Sequence, residues 1–184
     1  MVSMLLCENT YGTSNGHRTL PTTKRFAFVA IMAALANLLG LLKLPVGPLT
    51  IHLLQLPVIL TGLVMGGLAG GTVGLVGAIV GALTLAQPNP YIIPGNALLG
   101  FFTGILYKRL RGLKTRPIVP QSLALLGAFL LQAPYAYLTD VYLMGIPPAV
   151  VQVILLTLFI EDIISLLICH VIIYRVDILR LLRE

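Results

Sequence analysis

Apolar segments separated by proline, glycine and charged residues follow one another along most of this chain. They fall at 25–43, 52–66, 68–86, 91–107, 118–143 and 148–175. Because an α-helix rises about 1.5 Å per residue, about 20 apolar residues cross the roughly 30 Å of bilayer hydrocarbon. The pattern therefore predicts an all-α, integral membrane six-helix bundle. The second segment is short and joins the third through glycines, which allows a hairpin that does not cross the bilayer fully.

Composition and charge support a membrane protein and suggest its orientation. Hydrophobic residues make up 58% of the chain and charged residues only 10%, and the mean hydropathy is +0.98, unlike a soluble domain. The net charge of +6 does not indicate nucleic acid here, because basic residues mark the cytoplasmic loops of membrane proteins. They cluster before span 1, between spans 4 and 5 and after span 6, and only Lys43 of the twelve lies in an outer loop. Both termini are predicted to be cytoplasmic, in a multi-pass protein of the plasma membrane.

The first residues differ from the rest of the chain. Residues 1–23 are polar and lack the basic start and apolar core of a signal peptide. We expect a disordered tail at 1–23 and one transmembrane domain at 24–184.

Polar residues within the predicted spans gather toward the outer side of the membrane. The candidate substrate-binding residues are Asn96 in span 4, Gln132, Tyr135 and Thr139 in span 5, and Thr157 and Glu161 in span 6. Spacings of three and four place those of one span on one helix face. Asp140 lies beside them, and His52 opens span 2, where it either closes a pocket or sits among the headgroups. The alternative is a set of structural interhelical hydrogen bonds, each contributing about 0.6 kcal/mol.

The adjacent carboxylates in span 6 are harder to explain structurally. An acidic residue at the centre of a membrane helix raises the free energy of membrane insertion by about 2.5 to 3.5 kcal/mol. A cost of this size favours a functional role over a purely structural one. Adjacent helical residues point about 100° apart, so only one can face a small ligand squarely. Glu161 shares a stripe with Thr157 and Ser165 and is predicted to face the ligand. Asp162 is, like Asp140 and His52, a candidate pocket or gate residue, and the alternative is that it bonds a neighbouring helix.

Small residues recur at helical spacing in two spans. Span 1 carries Ala27, Ala30 and Ala34, and span 3 carries a glycine row at positions 70, 74, 77 and 81. Small residues four apart let membrane helices approach closely. The glycine row is predicted to pack internally, whereas the alanine stripe fits either internal packing or an outward face for a partner.

These features together resemble the substrate-binding S components of energy-coupling factor (ECF) vitamin transporters. The resemblance rests on FAFVAIMAALANLLG, KLPVGPLTIH, LPVILTGLVMGGLAGGTVGLVGAIVGAL and PYIIPGNALLGFFTGILY, in that order. It implies an outward-facing pocket for one vitamin or vitamin precursor, and docking of the alanine stripe on a transmembrane T component driven by two cytoplasmic ATPases. The chain has no phosphate loop of its own, so energy must come from partners or a gradient. It also has no Trp, which some members use to stack on aromatic vitamins.

A membrane scaffold, a secondary carrier and an enzyme are the alternatives to a transporter subunit. A six-helix scaffold resembling rod-shape-determining proteins would not need an acidic pocket, and a proton-coupled secondary carrier often shows internal repeats, which are not evident here. No nucleophile–base pair or metal-ligand set indicates an enzyme, a cofactor or a metal site. Acidic groups favour a cationic or donor-rich ligand, such as a thiamine-like compound, an aminated base or a pterin, over a simple monoanion.

Overall fold

The computed structural model describes residues 22–42, 44–46, 49–84 and 88–176 of this protein. Its helices are α1 (Thr22–Leu41), α2 (Gln55–Met65), α3 (Gly67–Gly77), α4 (Ile79–Leu83), α5 (Ile92–Leu110), α6 (Ile118–Leu138) and α7 (Pro148–Val176). A π-helical turn, Thr139–Leu143, extends α6. Helix α1 begins at Thr22, one residue before the predicted end of the N-terminal tail at residue 23; residues 1–21 lie outside the described residues.

The all-α bundle is confirmed, and each of the six predicted segments corresponds to one helix or one broken helix. The third segment is broken at Ala78 into α3 and α4. Asn37 of α1 compensates for the break, because its side chain accepts a hydrogen bond from the Val80 N–H and donates one to the Val76 carbonyl, both at 2.9 Å. Such side-chain partners satisfy backbone groups that an interrupted helix leaves unpaired.

A small hairpin that was not predicted connects α1 to α2. Strands β1 (Leu44–Val46) and β2 (Leu49–Ile51) pair antiparallel, with Leu44 opposite Ile51 and Val46 opposite Leu49. Strand β2 ends at Ile51 and leads directly into His52.

Helix α2 is as short as the sequence suggested: it has 11 residues, about 16 Å of rise, which is well below the thickness of bilayer hydrocarbon. The following segment is longer, because α3 continues past the break at Ala78 into α4. Gly66 joins α2 to α3 with a backbone φ of 93°, a conformation that residues other than glycine rarely adopt. Within the described residues, three helices are long and apolar enough to cross a membrane: Thr23–Leu41, Ile118–Leu143 and Pro148–Arg175.

Glycines allow α3 to pack directly on α5. A Cβ on Gly70 would lie 2.6 Å from the Gly100 carbonyl oxygen, and a Cβ on Gly74 would collide with the Asn96 carbonyl. Only glycine permits backbones this close. The predicted glycine row is therefore an internal packing surface, and it fixes the start of α5 against α3.

The two faces of α1 differ. Ala33 and Ala36 are buried, and Ala36 meets Gly77 of α3. Ala27, Ala30 and Ala34 are exposed on the outside of the bundle. The exposed alanine stripe, defined by these three residues, thus does not pack internally.

Candidate functional site

A cavity of about 250 Å³, here called the polar cavity, lies at the end of the bundle where α5 begins. It is lined by α2, α5, α6 with its π-helical turn, α7 and the links before α2, α5 and α7, and Gly40 of α1 and Gly81 of α4 complete the wall. Its polar lining residues are His52, Gln55, Asn89, Tyr91, Asn96, Gln132, Tyr135, Thr139 and Asp140. The structure therefore brings together six residues singled out from the sequence, and adds Gln55, Asn89 and Tyr91.

The first turns of α5 contribute the Asn96 amide. Its Nδ2 donates to the Ile92 carbonyl at 3.0 Å, which orients the amide. Its Oδ1 is buried without a hydrogen-bond partner among the described residues. A buried acceptor without a partner costs free energy, so this atom is suited to receive a donor from a ligand.

Helix α6 supplies a second acceptor of the same kind. Gln132 is 4% exposed, and no described group donates to its Oε1. One turn further along, the Tyr135 hydroxyl donates to the Tyr91 carbonyl at 3.3 Å, which ties α6 to the link before α5. The Thr139 hydroxyl donates to carbonyls of its own helix, Tyr135 at 3.0 Å and Ala136 at 3.1 Å.

Asp140 also holds the link before α5. It lies in the π-helical turn, a distortion that often occurs at functional sites. Its Oδ1 accepts a hydrogen bond from Asn89 Nδ2 at 2.8 Å, and Asn89 Oδ1 accepts one from the Tyr91 N–H at 3.0 Å. Asn89 was missed by the sequence analysis, although an Asn between two prolines is a signal for an ordered turn.

Glu161 has a different position from the one predicted. It is 1% exposed and does not line the polar cavity. Its Oε1 accepts the backbone N–H of His52 at 2.8 Å, its Oε2 lies 3.3 Å from His52 Nδ1, and the Gln55 amide reaches the same carboxylate. Glu161 thus stands behind His52 and Gln55, which do face the cavity, and it fixes the start of α2 against α7.

Thr157 does not reach the polar cavity. Its hydroxyl donates to the Val153 carbonyl at 2.9 Å in an exposed position, whereas Ile154 and Leu158 line the cavity. The cavity face of α7 is therefore turned by about one residue, or about 100°, from the stripe predicted through Thr157.

Asp162 lies away from the polar cavity. It is 1% exposed and lines a separate groove between α6 and α7. Neither of its carboxyl oxygens has a hydrogen-bond partner in the described part of the chain. The structure thus separates the two adjacent acids onto different surfaces of α7.

The polar cavity combines buried hydrogen-bond acceptors with an apolar wall. Its unpartnered buried atoms are acceptors: Gln55 Oε1, Asn96 Oδ1 and Gln132 Oε1. Apolar side chains complete the wall, among them Ile92, Ile146 and Leu158. Among residues 22–42, 44–46, 49–84 and 88–176, no group of three His, Cys, Asp or Glu side chains could hold a metal ion.

Comparison with known proteins agrees with this architecture. The family model described as "ECF transporter, substrate-specific component" matches residues 24–176. A solved structure described as "Structure and mechanism of the S component of a bacterial ECF transporter" shares the fold, with a TM-score of 0.68 and 20% identity over 85% of this chain and 97% of that one. No curated protein matches significantly.

The chain belongs to the family of substrate-specific components of ECF transporters. It is therefore a transport subunit and not an enzyme, and the family implies a small-molecule substrate and association with a T component and ATPases. Membership of this family supports a substrate-specific transport subunit over the two alternatives from the sequence, a membrane scaffold and a secondary carrier.

Proposed function

We propose that this subunit captures a vitamin or vitamin precursor in the polar cavity from the outer side of the plasma membrane. A T component and two cytoplasmic ATPase subunits then drive its delivery. The observation that carries the proposal is the set of buried acceptors that line the cavity without partners: Gln55 Oε1, Asn96 Oδ1 and Gln132 Oε1. Hydrogen-bond donors of a ligand would pair with these acceptors. Binding would then remove the free-energy cost of leaving the acceptors unsatisfied, and this gain contributes to affinity.

The charge distribution supports an outward-facing cavity. The cavity lies at the start of α5, and Lys108 and Arg109 lie in its last turn. A helix of 19 residues separates these ends by about 28 Å, close to the thickness of bilayer hydrocarbon. Because basic residues favour the cytoplasmic side, the cavity end faces outward and both termini are cytoplasmic.

The cavity chemistry favours a donor-rich ligand. Three unpartnered acceptors and the nearby carboxylate of Asp140 would repel a simple monoanion and accept N–H or ammonium groups. The volume of about 250 Å³ is below the range of about 300–1,000 Å³ typical of drug-sized ligands, so the ligand is small. A thiamine-like compound, an aminated base or a pterin meets both requirements.

Two hydrogen-bonded contacts are suited to control access to the cavity. His52 is held by Glu161 on one side, and Asn89 is held by Asp140 on the other. Both residues belong to the links before α2 and α5, which border the polar cavity. We assign Glu161 to positioning His52 and Gln55, with ligand contact made by those two side chains.

The decisive experiment identifies the ligand and then compares two glutamines. Mass spectrometry of small molecules that co-purify with the protein names the ligand, and calorimetry measures its affinity. Gln132→Leu should weaken binding by about 0.5 to 1.5 kcal/mol, or about 1.5 to 3 if the ligand donor is charged. Gln152→Leu is the matched control, because Gln152 is an exposed glutamine of α7 outside the cavity. Equal effects of the two substitutions would exclude the polar cavity as the binding site.

A second pair of variants tests the partner surface. Ala30→Trp enlarges the exposed alanine stripe, so ligand binding should persist while co-purification with the T component and ATPases, and uptake, are lost. Ala33→Trp is the control on the buried face, where overpacking commonly costs about 1 to 3 kcal/mol, so this variant should lose folding and ligand binding together. An Ala30→Trp protein that assembles and transports like the parent would exclude the docking role.

A further inference from the structure

The groove between α6 and α7 is a second cavity, of about 260 Å³. We call it the α6–α7 groove. Leucine, isoleucine and phenylalanine side chains of both helices form most of its wall, and Ser122 and Asp162 are its polar members. Leu126, Ile163 and Leu167 on its wall are 44%, 41% and 52% exposed, so the groove opens on the outside of the bundle.

Asp162 gives this apolar groove a specific chemistry. The residue is 1% exposed, and both carboxyl oxygens lack a hydrogen-bond partner among the described residues. An unpaired carboxyl group in apolar surroundings costs free energy, which a donor within the groove would offset. The Phe129 and Phe159 rings, whose centroids are 5.1 Å apart, also line the groove, and aromatic faces attract cations.

The depth of Asp162 restricts where an occupant can come from. It lies at the middle of the span Pro148–Arg175, about half a bilayer from either surface. The amine of a lipid headgroup does not reach that depth. The exposed alanine stripe is on α1, which packs against α2, α3 and α4, whereas the groove is formed by α6 and α7. The occupant therefore comes from the hydrocarbon region rather than from a partner on that stripe.

We propose that the α6–α7 groove is a bilayer-facing binding site for a lipophilic ammonium compound. The ammonium group donates to the Asp162 carboxylate, and the hydrocarbon part lies against the leucine and phenylalanine side chains of the groove. The site is separate from the polar cavity and does not depend on the transported substrate.

The test uses dansylcadaverine, a fluorescent lipophilic amine, and its N-acetyl derivative, which keeps the shape and loses the charge. Fluorescence anisotropy measures their binding to the full-length protein in lipid nanodiscs, with empty nanodiscs as the blank. The parent protein should bind the amine at least about tenfold more tightly than the acetylated probe, as expected for a charge-assisted hydrogen bond. Asp162→Asn, nearly the same size, should abolish this preference. Circular dichroism confirms that the variant is folded.

A pair of leucines tests the location. Leu123 and Leu126 of α6 are both 44% exposed, and only Leu126 lines the groove. Leu126→Trp should weaken amine binding while Leu123→Trp leaves it unchanged. Unchanged amine preference in Asp162→Asn, equal effects of the two tryptophans, or no binding above empty nanodiscs would overturn the proposal. Loss of binding in Glu161→Gln, with Asp162→Asn unaffected, would place the probe near the polar cavity and overturn it as well.

Discussion

Two cavities of similar volume, about 250 Å³ and 260 Å³, lie on different sides of α7. The adjacent acids Glu161 and Asp162 belong to different sides of this helix and are equally buried. On the polar-cavity side, Glu161 and Asp140 each accept hydrogen bonds from a connecting segment. On the groove side, Asp162 has no described donor. The two acids therefore differ not in burial but in whether the protein supplies a hydrogen-bond donor to them.

The largest expected effect is a change in the free energy of unfolding when Asp162, in the α6–α7 groove, is replaced. Asp162→Leu removes an unpaired acid from the centre of a span and fills part of an existing cavity. The free energy of unfolding should rise by about 1 to 3 kcal/mol, because the folded protein no longer buries an unsatisfied polar group. Unfolding by denaturing detergent in mixed micelles measures it. A loss of stability would mean that Asp162 has a structural partner, and the contrast with Glu161 would disappear.

The next largest effect is a change in ligand affinity when Glu161, on the polar-cavity side of α7, is replaced. Glu161→Gln keeps an acceptor for the His52 N–H but removes the charge, so ligand affinity should fall, by less than the about 1.5 to 3 kcal/mol of a direct charged contact, while the fold survives. Calorimetry on the purified variant measures the change. Because Glu161 acts through His52, the loss in the double variant with His52→Ala should be smaller than the sum of the single losses. Additive losses would mean that Glu161 contacts the ligand independently.

The smallest expected effect concerns Asn89. Asn89→Ala removes the donor to Asp140 and loosens the link before α5, so affinity should fall by about 0.5 to 1.5 kcal/mol. The change should appear as faster ligand dissociation, because the link borders the cavity. Stopped-flow measurement of the dissociation rate tests it, with Gln152→Ala as the control, because Gln152 is an exposed amide of α7 outside the cavity. A faster association rate with unchanged dissociation would contradict this role.

Much of the polar cavity was predictable from depth and helical spacing. Asn96, Gln132, Tyr135 and Thr139 share it because residues three and four apart face one direction and because spans 4 and 5 are antiparallel neighbours. Gln55 and Asn89 were missed because they lie at the start of a short helix and in a link, where periodicity carries no information. Thr157 was assigned to the wrong face because spacing defines a stripe but not the direction in which the stripe points.

The sequence by itself determined the apolar segment lengths, the distribution of basic residues and the relative depth of the polar side chains, since each depends on local composition. Only the tertiary structure decided which residues meet. The contact between His52 and Glu161 joins residues 109 positions apart, and the exposure of Ala30 beside the burial of Ala33 depends on where α3 packs. Helical periodicity fixes angles within one helix, whereas the rotation of each helix toward its neighbours is set by packing across the whole bundle. For that reason the two acids, adjacent in the chain, acquired different surroundings.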